Sequence, residues 1–310
     1  MNTYDLIIIG GGPAGCAGAV YAARKRLKSA IIAMEFGGQS AVSLKIENWI
    51  GTPAISGADF AKGLKDHTKA YAGEFLDIFE GEGVSQVTKG ANGIFTVTTT
   101  AGKTLETKTV LVTTGSGRRK LDIPGAERYE NKGITYCATC DAPLFDGADV
   151  AVIGGGNAGF ESASQLTSYA KSVTLLHRSE NFRADAITVE KVLQNPKVKA
   201  VKNVELLEVT GEQFVSAISY KDKITGEVTT LPVTGIFVEI GQIPNTSFVQ
   251  GLVSLDEWQK IIVDPMTQKT SEEGIWAAGD ATNGIYHQNN IAAGDAVKAL
   301  ENIYYWLHTK

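Results

Sequence analysis

Cys137 and Cys140, in the run Cys137-Ala138-Thr139-Cys140-Asp141, are the residues whose type and spacing most directly suggest chemistry. Thiols so spaced can close a small disulfide ring and reopen it by thiolate exchange, one sulfur attacking and the other resolving. Zinc is the competing use of such a pair. The only other cysteine, Cys16, lies far away beside a glycine-rich run, and none of His67, His177, His287 and His308 stands at finger-like spacing. No metal site is therefore expected. Asp141 follows the pair directly. A carboxyl there can shuttle the proton that disulfide reduction consumes, or it can cap a helix; the sequence leaves both open. Cys16, on an Ala-rich stretch, reads as a small core residue, and Trp49 and Trp276 read as packing.

Two glycine motifs supply the second kind of chemistry. Gly10-x-Gly12-x-x-Gly15, with Pro13 and Ala14 inside it, follows the apolar run 4–9 and opens an Ala-rich segment that leads to a second apolar run, 29–34. That is strand, turn, helix and strand. The first glycine permits the tight turn, the second lets backbone approach a pyrophosphate, and the third lets helix and strand pack closely. Glu35, at the end of the second run, can bind a ribose hydroxyl. Gly154-x-Gly156-Asn157-Ala158-Gly159 repeats the plan between the runs 149–153 and 172–177. Past it come Arg178, Ser179 and Arg183. Basic groups without a carboxylate in that place suit a 2′-phosphate; the competing reading is a solvated basic loop.

The elements that must hold these motifs also repeat. An alternating stretch with turn signals at Asn92-Gly93 and Gly102 closes on Gly115, and a second, with a turn near Thr225-Gly226, closes on Gly241. Both read as β-meanders. Two copies of one plan, 144 positions apart from Gly10 to Gly154, imply two nucleotide-binding domains. The segment after Gly241 has no third copy and is too short for a robust core of its own, so it is expected to pack on the first domain. With 310 residues, 43% hydrophobic, the chain has enough material for two such cores. A net charge of −5 gives no reason to expect nucleic acid or an anionic membrane as a partner. No apolar run approaches the ~20 residues of a membrane span, and no basic leader with a cleavage site is visible. Few cysteines, two of them in one CxxC, suit a reducing compartment, and a cytoplasmic protein is expected.

The residues also match a family. The chain resembles low-molecular-weight, bacterial-type thioredoxin reductases over essentially its whole length, and is similar to the flavoprotein portion of alkyl hydroperoxide reductase. The resemblance is carried by IIIGGGPAG at 7–15, GGQ at 37–39, IENW at 46–49, VTTG at 112–115, IPG at 123–125 and CATCD at 137–141. It continues with VIGGGNAG at 152–159, HRSENFRA at 177–184, GxxPNT at 241–246, GIWAAGDAT at 274–282 and YHQ at 286–288. It implies an α/β fold of two Rossmann-like domains, each a βαβ unit with a β-meander, the second inserted into the first. Residues 1–117 and 245–310 would bind FAD, and residues 118–244, carrying the CxxC, would bind NADPH, with NADH possible.

By the same resemblance the FAD pyrophosphate would lie at Gly12 and Gly15. Glu35, Gly38, Gln39 and Asn48 would line the adenosine and flavin regions. Gly115 and Gly279 would close strands beside the cofactor, Asp280 would hold its ribityl-pyrophosphate, and His287 and Gln288 would stand near the flavin. Cys140 would be nearest the flavin, Cys137 would attack a thioredoxin-like protein, and Asp141 would be the acid/base. A homodimer is the family habit. Three departures stand out: Ser179 and His287 replace arginines, and Asn289 replaces an alanine. Ser179 keeps in view a dithiol oxidase or ferredoxin-dependent reductase that does not use NADPH, though the intact second glycine motif opposes it; the other competing functions are an electron donor to a peroxide-reducing system and a redox-inert FAD scaffold. The retained CATCD opposes the last.

Overall fold

The first apolar run becomes the strand Tyr4–Gly11, on which Ile7 and Ile8 are wholly buried. It pairs in parallel with Ser29–Phe36 on one side and Thr104–Val112 on the other, placing Ile8 opposite both Ile31 and Leu111. A strand between parallel neighbours, covered on both faces, has no solvent side, which is why its sequence is apolar without alternation. The helix Pro13–Arg24 makes the crossover between the first two strands. The sheet runs in the order Leu76–Glu80, Ser29–Phe36, Tyr4–Gly11, Thr104–Val112, Phe95–Thr99, Val84–Lys89, and Ile275–Ala277 also pairs with Thr104–Val112. That nine-residue strand serves two purposes: its start pairs antiparallel with Phe95–Thr99 and its end parallel with Ile275–Ala277.

The computed structural model describes residues 3–43 and 45–309, and the chain divides into two units, residues 1–117 with 243–310 and residues 118–242. In the first unit the returning segment covers both faces of the sheet. Ala296, Leu300 and Ile303 of the helix Asn289–Thr309 pack with Leu6, Ile8 and the alanines of the first helix. Val249, Val253 and Ile261 pack with Ile7 and Ile9 on the opposite face. Trp276 lies in the core, its indole N–H donating to Asn302 Oδ1 at 3.1 Å.

The second unit has a parallel sheet in the order Val198–Val201, Ser172–Leu176, Asp149–Ile153, Gly235–Val238, Ile134–Thr135, with Asn157–Leu166 as the helix after its glycine turn. The two copies of the plan differ in one respect. In the first unit the meander extends the parallel sheet, whereas in the second Val204–Gly211, Val215–Asp222 and Val228–Pro232 form a sheet of their own. Pro232 ends the last of these strands and has no N–H to continue a ladder. Only four residues, Gly235–Val238, then remain to pair with Asp149–Ile153, so no long strand is shared between the two sheets. The expected turns are present, with Gly93 and Gly226 at φ 79° and 77°.

In both units the helix is pressed onto the glycine turn. A Cβ added at Gly15 would lie 1.8 Å from Gly10 O, and one at Gly159 would lie 2.0 Å from Gly154 O. Gly15→Ala and Gly159→Ala should each cost about 1–3 kcal/mol, as overpacking does. Urea unfolding followed by circular dichroism should show lowered midpoints for both; an unchanged midpoint would mean that the helix can shift freely.

Candidate functional site

The two glycine turns share one geometry. Gly10 and Gly154 stand at φ 118° and 125°, each backed against another stretch of main chain: a Cβ would come within 2.4 Å of Thr113 O at the first and 2.2 Å of Glu239 O at the second. Gly12 and Gly156 are the N-caps of the helices Pro13–Arg24 and Asn157–Leu166. Neither helix has a side-chain cap or an acidic residue in its first turn, and a Cβ at Gly12 or Gly156 would meet nothing within 4 Å. Each helix therefore directs unsatisfied N–H groups and the positive end of its dipole into open space. Those donors fit a dinucleotide pyrophosphate.

In the first unit the remaining predicted residues gather around this turn, at the C-terminal ends of the parallel strands, where open α/β sheets bind ligands. Glu35 is exposed near the end of Ser29–Phe36, with its carbonyl backed against Gly11. Gly38, at φ 59°, places its Cα-face against Gly12, a Cβ there falling 3.5 Å from Gly12 Cα. Gln39 Nε2 donates to Ser116 O. Asn48 Nδ2 donates to Gln288 Oε1 at 3.1 Å, and Asn290 Nδ2 returns a bond to Asn48 O at 2.7 Å. Asn289, a departure from the family pattern, accepts from Ser40 Oγ at 3.0 Å and so braces the same loop. The Gly115 carbonyl accepts the Asn245 N–H at 3.0 Å. Gly279 fits between Ala14 and Ala292, whose Cβ atoms would lie 3.6 and 3.1 Å from an added Cβ. Next to it, Asp280 Oδ1 lies 3.3 Å from His287 Nδ1. Ser40 and Asn290 carry no motif, and nothing in the sequence marked them.

In the second unit the loop after Ser172–Leu176 folds back on the glycine turn. The Arg183 N–H donates to Gly155 O at 2.8 Å, and the Asp185 N–H donates to Asn157 Oδ1 at 2.9 Å. Ala158 follows Asn157 in the first turn of that helix. His177 is buried against Gly155 and bonds Asn181 O through Nε2 at 2.9 Å, so it forms part of the floor of the loop. Arg178 and Arg183 are exposed, and among the described residues their guanidinium groups have no hydrogen bond or ion pair. Ser179 is half-buried between them in sequence. Glu180 is held by the Asn203 amide and by Lys202 at 3.9 Å.

Cys137 and Cys140 are joined in a disulfide, with their Cα atoms 5.3 Å apart. Cys137 is extended and caps the four-residue helix Ala138–Asp141, whose Cys140 and Asp141 N–H groups bond Cys137 O at 3.2 and 3.0 Å. This turn is what brings the sulfurs within reach. The Asp141 carboxylate does not cap a helix; it accepts from Thr135 Oγ1, which in turn accepts the Cys137 N–H at 3.4 Å. Burial pushes the Asp141 carboxyl above its ordinary value, and the Thr135 bond and the Arg118 charge oppose it. Thr135, two residues before the pair, was not singled out by any motif. Ser162 Oγ donates to Glu239 Oε1 at 2.6 Å, and burial likewise raises the Glu239 carboxyl.

A family model described as pyridine nucleotide-disulphide oxidoreductase matches residues 4–296. The chain is 39% identical over 299 residues to the F component of alkyl hydroperoxide reductase in Xanthomonas campestris pv. phaseoli, covering 96% of this chain and 56% of that protein. It is 38% identical over 304 residues to an NADH dehydrogenase of Bacillus subtilis (strain 168), covering 98% and 58%. The chain thus spans little more than half the length of these curated relatives. Among solved structures it is similar to the thioredoxin reductase from Streptococcus pyogenes MGAS5005, with a TM-score of 0.91, 34% identity and 99% of each chain covered.

The raised Asp141 carboxyl has a measurable consequence. It binds its proton more tightly in the folded chain than in the unfolded one, so it favours the native state below its ordinary value of 3.8 and loses that contribution as pH rises through the raised value. Asp141→Asn keeps an acceptor for Thr135 but cannot ionise. Its stability relative to the parent should therefore grow as pH rises from the ordinary value of 3.8 through the raised one, read as urea midpoints. A gap that does not change with pH would contradict the raised carboxyl.

Proposed function

The chain belongs to the pyridine nucleotide-disulphide oxidoreductase family, and on that footing we propose that it is a flavin-dependent thiol–disulfide oxidoreductase that draws electrons from NADPH and delivers them, by way of the Cys137–Cys140 dithiol, to a thioredoxin-like protein. The observation that supports this best is one closed disulfide in a chain with two uncapped glycine-turn helices. FAD would be held in the first unit by Gly12, Gly15, Glu35, Gly38, Gln39, Asn48, Asp280 and Gln288. When bound, it supplies the two-electron carrier between the nucleotide and the disulfide. The nucleotide would be held in the second unit by Gly156 and Gly159, with Arg178 and Arg183 on its 2′-phosphate.

The chain's own residues carry the exchange. In the dithiol form the Cys137 thiolate attacks the partner disulfide, forming a mixed disulfide and releasing one partner thiolate. Cys140 then attacks the Cys137 sulfur, which releases the second partner thiolate and closes the Cys137–Cys140 bond. Two electrons have left the chain. Thr135 occupies Asp141 Oδ2, leaving Oδ1 to carry the proton that a nascent thiolate takes up. The raised carboxyl suits an acid of this kind. A cytoplasmic homodimer completes the proposal: a working dithiol fits a reducing compartment, no described helix is long and apolar enough to cross a membrane, and the dimer is taken from the resemblance. Electron supply to a peroxide-reducing system is the second reading, favoured by the 39% identity to a component of alkyl hydroperoxide reductase. Turnover with a thioredoxin-like protein against turnover with a peroxidase separates the two.

The purified protein should hold about one FAD per chain. Cys137→Ser and Cys140→Ser should each abolish disulfide reduction yet leave flavin bleaching by NADPH intact, as followed by anaerobic stopped-flow. Normal turnover in either variant would end the dithiol assignment, and no bleaching by NADPH or NADH would favour a ferredoxin-dependent reductase or dithiol oxidase.

Nucleotide choice gives a second test. A charge-assisted hydrogen bond is worth roughly 1.5–3 kcal/mol, so restoring a third arginine with Ser179→Arg should lower the KM for NADPH by about 10- to 100-fold and leave NADH nearly unchanged. NADH used as well as NADPH by the parent protein would overturn the preference.

A further inference from the structure

The contact between Asp280 and His287 continues through the ring. Lys260 Nζ lies 3.0 Å from His287 Nε2, and His287 Nδ1 lies 3.3 Å from Asp280 Oδ1, so three side chains form one line. An ammonium has hydrogens to give and no lone pair to receive one. Lys260 must therefore donate, Nε2 must accept, and the ring hydrogen sits on Nδ1, facing the carboxylate. The imidazole is neutral, polarised between a cation on one side and an anion on the other.

Lys260 is held there by its backbone. Asp256 Oδ1 accepts the N–H groups of Trp258 at 2.9 Å and Lys260 at 2.8 Å, closing a tight turn with Gln259 at φ 66°. The next residue, Ile261, is wholly buried; its N–H bonds Ala281 O at 2.8 Å and its carbonyl accepts the Asn283 N–H at 3.0 Å. The chain next to Lys260 is thereby locked in register with the chain next to Asp280. Lys260, His287 and Asp280 are all half-buried. Burial draws the Lys260 ammonium below its ordinary value, and Asp256 and Asp280 oppose that.

We propose that Lys260 and His287 are positioning residues of the flavin site: Lys260, acting through the neutral imidazole, fixes the Asp280 carboxylate and compensates its charge beside the cofactor. The proposal rests on reading the first unit as the FAD-binding one. A carboxylate facing a pyrophosphate and a flavin that gains negative charge on reduction opposes both, unless a cation is coupled to it. The Lys260–His287 hydrogen bond and the His287–Asp280 contact bring that cation from a separate turn.

The test uses the FAD-loaded protein, with Lys260→Met removing cation and donor and Lys260→Arg keeping both. Nitrogen-15 NMR of the histidine rings, with His287 assigned through His287→Gln, reports which ring nitrogen carries the hydrogen. The parent and Lys260→Arg should show it on Nδ1, with the Nε2 signal of a nitrogen that accepts a hydrogen bond, and in Lys260→Met the Nε2 signal should lose that hydrogen-bond shift. At a fixed ambient potential Lys260→Met should lower the ratio of reduced to oxidised flavin by about three- to tenfold, roughly 15–30 mV for a two-electron couple, and Lys260→Arg should restore it. Normal FAD uptake with an unchanged Nε2 signal and an unchanged potential in Lys260→Met would overturn this proposal alone. Failure of the folded parent protein to take up FAD would overturn the flavin reading, and this proposal with it.

Discussion

Main chain lies against main chain at both glycine turns, with no room for a side-chain carbon between. Gly15 rests on the Gly10 carbonyl and Gly159 on the Gly154 carbonyl. This contact sets how closely each helix follows its strand, and hence where the free N–H groups at Gly12 and Gly156 point. Only glycine meets all three requirements of the motif: a left-handed turn, an open approach and a buried contact. The surrounding sheet serves the same end. Parallel strands buried on both faces deliver their C-terminal ends to one edge; in the first unit Glu35 stands at the end of its strand there, and the segments bearing Gly38, Gly115 and Gly279 leave from that edge.

Around the first turn the site is fastened by polar side chains of ordinary type. Asn48 bonds Gln288 across 240 residues of sequence, Ser40 bonds Asn289, and Asn290 returns to Asn48. Such pairs are worth about 1 kcal/mol each where water is excluded, and together they hold a loop that has little regular structure of its own. The departures from the family pattern acquire partners here. Asn289 braces the loop, and His287 links Asp280 to Lys260.

The disulfide depends on a different balance. A four-residue helix capped by Cys137 brings the sulfurs together, and the adjoining carboxyl is withdrawn from water, so that burial raises its proton affinity while Thr135 holds it in place. An acid kept from solvent holds a proton at a pH where an exposed aspartate has lost it. Arg178 and Arg183 show the reverse case. They remain exposed, without partners among the described residues, because the loop that carries them turns His177 inward instead.

The glycine motifs, the CxxC pair, the buried parallel strands and the hairpin turns were legible from residue order, because each depends on local geometry that fixes residue type at a set spacing. Asp141 was visible as a candidate, but the choice between capping and proton transfer was not. That choice turned on Thr135 and on burial, which only packing determines. The detached meander of the second unit likewise followed from Pro232 and a four-residue strand, seen only once strands had paired. Ser40, Asn290 and Lys260 left no trace in the sequence. Their bonds join common polar residues across long stretches of chain, and a hydrogen bond between distant side chains imposes no spacing on the sequence that encodes it.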